Sequence, residues 1–150
     1  MIGTDLDDAP LPAELYVVWE ELLAIPGPRF TPKRFANRMR LRRAAAALDL
    51  YRTNEAAIHT LWNLWEDDQP VTVVTYLPPL VAAHLPARLE RDNVPHTRLL
   101  VEHPLHMSRT IALLDNVVRI VHSIPDHNLL YGPKGFLVPP QSPELIREVL

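Results

Sequence analysis

The stretch of residues 71–76, which reads Val-Thr-Val-Val-Thr-Tyr and precedes a Leu-Pro-Pro sequence, constrains the fold of this chain most. Branched and aromatic side chains favour extended structure because they fit a pleated surface. A short, nearly continuous apolar run bounded by prolines is typical of a buried strand in a parallel sheet. We therefore predict that residues 71–76 form the central strand. Ligands gather at the carboxyl ends of such strands, so we expect any site to lie near Thr75.

Helical patterns flank this strand on both sides. Thr53 or Asn54 is expected to cap a helix before it, and Pro79 opens another after it, with a break at Pro86. Strands are predicted at 97–101, 117–121 and 135–138, with a helix capped by Ser108 and a last helix from Ser142. Residues 13–25 fit a helix and a strand equally well. This alternation predicts one α/β domain over residues 1–150, with a three-layer, mostly parallel sheet and helices on both faces.

Composition narrows the class of protein. A chain of 150 residues with 47% hydrophobic and 22% charged residues suits one globular domain. The absence of cysteine excludes disulfides, a thiolate nucleophile and a cysteine-based zinc site, and the histidines lack zinc-site spacing, so we predict no metal. No apolar run reaches the roughly 20 residues of a membrane span. We expect a cytoplasmic protein without a membrane partner.

A basic segment over residues 29–43 contains seven cations and no acid. Such clusters bind nucleic acid when stacking aromatics accompany them, and Phe30 and Phe35 are the candidates here. We favour the simpler interpretation, in which these side chains are solvated or pair with acids elsewhere, and keep binding to nucleic acid or an acidic partner as an alternative. The seven residues are Arg29, Lys33, Arg34, Arg38, Arg40, Arg42 and Arg43.

Four short motifs give the chain a resemblance to a known family. Residues 73–76 place a threonine at the end of a strand, Arg109 lies between Ser108 and Thr110, and residues 16–23 and 120–123 precede two turns. In this order they resemble a small haloacid dehalogenase-like (HAD-like) domain of the phosphatase type, similar to small proteins of high-GC bacteria and their phages. The resemblance implies a Rossmannoid α/β fold over residues 15–150.

The match to the family motifs is partial. Val18 occupies the place of the nucleophilic aspartate, and Glu20 that of the acid/base. The remnant of the family pocket that the resemblance implies consists of Val18, Glu20, Thr75, Arg109, His122 and Ser123. Valine cannot form an aspartyl-phosphate, and one carboxylate of the usual set is too few to hold magnesium. We therefore expect a catalytically degenerate domain, without phosphatase activity or cofactor, that acts by binding a partner protein.

A rival alignment restores the first motif. Residues 5–8 read Asp-Leu-Asp-Asp, so Asp5 would be the nucleophile and Asp7 the acid/base of a magnesium-dependent phosphatase. Only four residues precede Asp5, which is short for a central strand, and we favour the degenerate alternative. A weak phosphate site is a further expectation, because a helix beginning near Pro79 would direct free N–H groups toward Thr75 and Arg109 would add charge.

Overall fold

The computed structural model describes residues 13–40 and 44–149. Its strands are β1 (Glu14–Val18), β2 (Ala24–Pro26), β3 (Tyr51–Thr53), β4 (Val71–Thr75), β5 (Arg98–Val101), β6 (Val117–His122) and β7 (Gly135–Leu137). Its α-helices are α1 (Pro32–Arg40), α2 (Ala44–Leu48), α3 (Glu55–Glu66), α4 (Pro79–Ala82), α5 (Leu85–Arg91), α6 (Pro104–Leu113) and α7 (Asn128–Tyr131). Three 3₁₀ helices cover Pro125–His127, Gly132–Lys134 and Pro143–Val149.

Five strands form a parallel sheet in the order β5-β4-β1-β6-β7. The chain builds outward from β1 through β4 to β5, then crosses to β6 and β7, which is the doubly wound arrangement. This confirms the predicted three-layer α/β class. The prediction that residues 71–76 form the central strand is wrong by one position, because β1 lies in the middle and β4 is its neighbour. Both strands are buried along their whole length, so the hydrophobic pattern of the sequence could not show which of the two lies in the middle of the sheet.

Alternate side chains of β1 fill two different cores. Leu15 and Val17 belong to a large cluster that includes the apolar faces of α3, α4 and α5. Tyr16 and Val18 point to the opposite face, where they join a smaller cluster with Met107 of α6. Because residues of a strand alternate between the faces of its sheet, one strand serves both layers. The sheet is thus covered on both sides, which explains the continuous apolar run of its inner strands.

Strands β2 and β3 pair as an antiparallel hairpin, which forms a second, two-stranded sheet. Helices α1 and α2 lie between its two strands in sequence, and we call the described residues from 27 to 51 the arm. The backbones approach closely at Gly27, whose N–H donates to the carbonyl oxygen of Leu50 at 2.8 Å. A Cβ atom at Gly27 would lie 3.0 Å from that oxygen, a contact tighter than side chains normally make.

Arg88 of α5 fastens this arm to the body of the domain. Its guanidinium donates to the carbonyl oxygens of Leu48 (2.8 Å) and Tyr51 (3.0 Å), and its Nε donates to Asp92 (2.7 Å). The side chain is buried, so every one of these bonds replaces a bond to water. The arm therefore has a fixed position over the end of β4.

Residues 13–25, whose sequence fits a helix and a strand equally well, form β1, a tight turn and β2. Two local predictions need correction. The cap of α6 is His103, whose Nδ1 accepts from the Leu105 N–H at 3.2 Å, whereas Ser108 lies inside that helix and donates to the carbonyl oxygen of Leu130. The last helix is of 3₁₀ type, and its Ile146 and Val149 pack into the large core.

A search of the described residues for a membrane-crossing element finds no helix of sufficient length and apolar character.

Candidate binding pocket at the carboxyl edge of the sheet

A tight turn after β1 places Glu20 at the carboxyl edge of the sheet. The Trp19 N–H donates to the carbonyl oxygen of Val74 at 2.8 Å, which continues the pairing with β4 by one residue. The chain then reverses, because the N–H groups of Leu23 and Ala24 both donate back to the carbonyl oxygen of Trp19. Glu21 adopts a positive φ of 66° in this turn. The reversal directs the Glu20 side chain toward the end of β4.

Both oxygens of the Glu20 carboxyl group are bound by residues at the end of β4. The Thr75 hydroxyl donates to Oε1 at 2.5 Å, and the Tyr76 N–H donates to Oε2 at 2.7 Å. The Thr75 hydroxyl in turn accepts from the Leu77 N–H at 3.2 Å. Glu20 and Thr75, two residues that the sequence places in different motifs, are therefore in direct contact.

Burial is the main influence on Glu20. Only 8% of its surface is exposed, and desolvation raises the pKa of its carboxyl group to about 7 from the ordinary value of 4.5, against the opposing hydrogen bonds from Thr75 and Tyr76. No lysine, arginine or histidine within the described ranges forms an ion pair with it. A carboxyl group with this pKa is present in both protonation states near neutral pH, so it accepts a proton or a cation readily.

A pocket of about 320 Å³ opens beside Glu20. Its volume lies in the range of ~300–1000 Å³ that is usual for small-molecule sites. Apart from the one carboxyl group the wall is aromatic and aliphatic, and it is lined by Glu20, Phe30, Pro32, Phe35, Tyr51, Tyr76, Leu77 and Pro78.

The aromatic wall is supplied mainly by the arm between β2 and β3. Phe30 lies 5.0 Å from Tyr51 and 6.0 Å from Phe35, measured between ring centroids, and all three rings are tilted relative to their neighbours. Tyr51 also packs at 5.0 Å against the buried Trp19. Burial raises the pKa of Tyr51, and the nearby charges of Glu20 and Glu21 raise it further, so its phenol is neutral.

A second group of rings extends from the opposite side of Tyr76. Its hydroxyl group is hydrogen-bonded to the hydroxyl of Tyr131, and burial raises the pKa of both phenols, that of Tyr131 to about 12. The His127 ring lies edge-on to Tyr76 at 5.6 Å. Its Nδ1 atom is buried without a hydrogen-bond partner in the described parts of the chain. These contacts fix the Tyr76 ring as one wall of the pocket.

The other residues of the predicted remnant pocket have structural surroundings. Val18 is fully buried in the smaller core. His122 accepts from the Ile124 N–H on Nδ1 at 3.2 Å, so its Nε2 carries the proton that it shares with Asn128, and burial lowers its pKa. Ser123 donates to the carbonyl oxygen of Val138. These three side chains are therefore not on the wall of the pocket.

The geometry does not favour the predicted phosphate contact at Thr75. The threonine side chain is fully buried, and its hydroxyl is already engaged with Glu20 and the Leu77 N–H. Arg109 is exposed on α6 and is not part of the pocket wall. Helix α4 has only four residues, so its dipole is short.

Part of the predicted basic segment can be located. Arg29, Lys33 and Arg34 are exposed at the start of the arm, and Arg38 is partly exposed on α1. The Arg40 side chain, Arg42 and Arg43 lie outside the described residues. Asp5 and Asp7, on which the rival alignment depends, also lie outside them. No cluster of three or more histidine, aspartate or glutamate side chains that could hold a metal occurs in the residues searched, which do not include residues 1–12.

Sequence reasoning missed Tyr51, and it considered Phe30 and Phe35 only as stacking residues in the nucleic-acid alternative that it did not favour. The missing information was the hairpin, which brings Tyr51 next to a glutamate 31 positions earlier in the chain. A signal was present in the sequence: aromatic residues lie on either side of a Pro-Gly-Pro break and a basic segment, where a solvated loop would not require them.

Comparisons with protein-family models, curated proteins and solved structures find no match to this chain.

Proposed function

We propose that this domain is a binding module on a HAD-like scaffold, without phosphatase activity, and that the pocket beside Glu20 receives part of its partner. The observation that carries this proposal is the buried carboxyl group of Glu20, which has no cationic partner among the described residues and lines an aromatic pocket at the carboxyl edge of the sheet. Ligands of doubly wound proteins bind at this edge. A pocket of about 320 Å³ accommodates one side chain of a partner protein or a small molecule.

The side chains at the motif positions support the absence of phosphoryl transfer. Val18 offers only methyl groups where a nucleophile is needed, and a covalent phosphoenzyme requires a nucleophilic oxygen. Glu20 has both oxygens bound and a pKa of about 7, so its protonated and ionised forms are both populated at neutral pH. A carboxyl group in that state is a poor ligand for magnesium, which prefers ionised oxygens.

Enzyme assays test the first half of the proposal. Purified protein with magnesium and p-nitrophenyl phosphate is expected to give no turnover above a heat-treated sample. The matched variants are Asp5→Asn and Glu20→Gln. A rate that disappears in Asp5→Asn would overturn the proposal and establish the rival phosphatase, in which Asp5 and Asp7 hold magnesium.

Probe binding tests the second half. Neutral organic probes such as benzyl alcohol, cyclohexanol and n-butanol are expected to shift the NMR signals of Phe30, Tyr51 and Tyr76. Phe35→Ala opens the pocket wall and is expected to change the affinity for these probes. The internal control is the groove of about 450 Å³ between α3 and α5, which Trp62 and Trp65 border. Shifts confined to that groove, or none at all, would contradict a binding role for the Glu20 pocket.

A further inference from the structure

We propose that the pocket beside Glu20 selects an alkylammonium group, either a small organic amine or the lysine side chain of a partner protein. This inference rests on the proposed binding function and adds the chemical class of the ligand. Three features support it: the Glu20 carboxyl group has no positively charged partner, aromatic rings line the pocket, and the titratable groups around Glu20 are compatible with a bound cation.

The carboxyl group of Glu20 has no counter-charge of its own. It is 8% exposed, and its bonds come from the Thr75 hydroxyl and from backbone N–H groups, which are neutral donors. Arg88, a buried cation that packs over Trp19, is bound to Asp92 and to backbone carbonyl oxygens. Buried carboxylates are normally paired with a cation. The pocket provides the space in which a ligand brings the missing positive charge.

The wall of the pocket suits a cation that carries methylene groups. The rings of Phe35 in α1 and Tyr51 in β3 line the pocket, together with those of Phe30 and Tyr76 from the segments before α1 and after β4. Aromatic faces attract ammonium groups through their quadrupole, and the same faces exclude water from an alkyl chain. The Glu20 carboxyl group accepts hydrogen bonds from Thr75, Tyr76 and its own N–H, and a carboxylate has about four acceptor sites, so one is left for an N–H donor of the ligand.

The groups around Glu20 are consistent with a cation at this position. Glu21, in the same turn, adds a second carboxyl group close enough to act on Glu20. The phenols of Tyr51, Tyr76 and Tyr131 are neutral because burial raises the pKa of each. Among the described cations of the arm, Arg29, Lys33 and Arg34 are exposed, so water and salt screen them, and Arg38 is partly exposed.

Paired probes separate charge from shape. The test uses n-butylammonium and n-butanol, which differ in the ammonium and hydroxyl groups, with binding followed by NMR shifts of Phe30 and Tyr51. At pH 8 the ammonium probe is expected to bind about tenfold more tightly than the alcohol, the order that a desolvated cation–π and charge interaction gives. A peptide with one lysine, compared with the same peptide with norleucine, shows whether a protein side chain also enters. Binding of the amine with or without the peptide supports the proposal.

The pH dependence identifies the charged group. Alkylamines stay protonated up to about pH 10, so between pH 6 and 8 the titration belongs to the protein. With a Glu20 pKa of about 7, the affinity for n-butylammonium is expected to rise about tenfold from pH 6 to pH 8. His122 and His127 also lie near Tyr76 and Tyr131, and they remain in the comparison variant Glu20→Gln. In that variant the rise is expected to disappear, whereas binding of n-butanol stays constant.

A second variant tests the rings. Phe30→Leu keeps an apolar side chain of similar bulk but removes an aromatic face, so it is expected to weaken n-butylammonium several-fold and leave n-butanol unchanged. Glu90→Gln, on the exposed surface of α5, controls for the loss of one negative charge.

The outcomes separate this inference from the proposed function. If n-butanol binds the pocket as tightly as n-butylammonium at pH 8, the ammonium assignment is overturned and the binding function survives. If neither probe shifts Phe30 or Tyr51, the proposed function fails as well.

Discussion

The carboxyl group of Glu20 should make the stability of this protein fall as the pH rises. Its pKa is about 7 in the folded protein and 4.5 is the ordinary value, so between these limits the unfolded chain loses the proton while the folded chain keeps it. Stability falls with pH wherever the folded state binds more protons than the unfolded state. The loss begins near pH 4.5, is complete above about pH 7, and is absent at lower pH, where both states are protonated.

The magnitude follows from the separation of the two pKa values. Each pKa unit corresponds to about 1.4 kcal/mol, so the separation between 4.5 and about 7 corresponds to roughly 3 kcal/mol of unfolding free energy. The variant Glu20→Gln keeps the shape and one acceptor oxygen for the Tyr76 N–H, but it has no proton to lose. We expect it to become more stable than the wild type by about this amount between pH 4.5 and pH 8.

The difference between the two proteins isolates Glu20. Burial lowers the pKa of His122 and His127, so their contribution to the free energy of unfolding decreases as the pH falls through their titration range. This pH dependence is opposite in sign to that of Glu20. Both histidines are present in wild type and variant, so their contribution cancels. Urea unfolding followed by tryptophan fluorescence at half-unit intervals of pH gives the two curves. Curves that run parallel from pH 4.5 to pH 8 would show that the carboxyl group is solvated, and the reasoning about its burial would be refuted.

Four further predictions test the structure around the pocket. Thr75→Val removes a hydroxyl donor to the Glu20 carboxylate, so the Glu20 pKa is expected to rise above about 7 in a carbon-13 titration of the carboxyl group; an unchanged midpoint would place the hydroxyl elsewhere. Arg88→Met leaves two carbonyl oxygens without this donor and removes the closest cation of Asp92, which keeps the Thr53 hydroxyl at 2.9 Å and Arg91 at 3.4 Å; it is expected to cost about 3 kcal/mol in urea unfolding. Arg91→Met, at an exposed neighbour, is expected to change stability by about 0.5 kcal/mol or less. Val73→Ala removes two buried methyl groups of β4 and is expected to cost about 1–3 kcal/mol; a cost no larger than that of Val118→Ala, on the more exposed part of β6, would contradict the burial. Fluorescently labelled single-stranded DNA is expected to show no salt-dependent affinity; an affinity that falls steeply with salt and is lost in the double variant Lys33→Glu and Arg34→Glu would assign α1 to nucleic acid.

The fold class could be predicted from the sequence because inner strands of a parallel sheet have a distinctive composition. The residues of β4 are branched and apolar on both faces, and no helical pattern fits them. The residues of β1 were ambiguous, since Leu15, Val18 and Leu22 also fit one face of a helix. These residues form a strand because they pair with β4 on one side and with β6 on the other. That pairing joins residues more than 50 positions apart, which a local pattern does not contain.

The site was predictable only where a motif marked it. Glu20 follows β1 and Thr75 is the last residue of β4, and the carboxyl ends of neighbouring parallel strands meet at one edge of the sheet. The aromatic wall has no such mark, because Phe30 and Tyr51 reach the edge through an inserted arm. The position of that arm depends on Arg88, a residue of a different helix. An arginine in α5 gives no local sign that it binds carbonyl oxygens of the arm.

The free-energy cost of burying Glu20 and the proposed ligand class are two aspects of one linkage. A ligand that stabilises the ionised carboxylate recovers part of the stability that ionisation removes, up to roughly the 3 kcal/mol derived from the pKa separation. A neutral ligand of the same shape adds its own binding energy at every pH but leaves the slope unchanged. Unfolding curves measured with saturating n-butylammonium should therefore flatten between pH 4.5 and pH 8, whereas curves with n-butanol should shift without flattening. Ionisation of Glu20 thus lowers the stability of the folded protein at neutral pH, and in our proposal it also creates the charge that a cationic ligand binds.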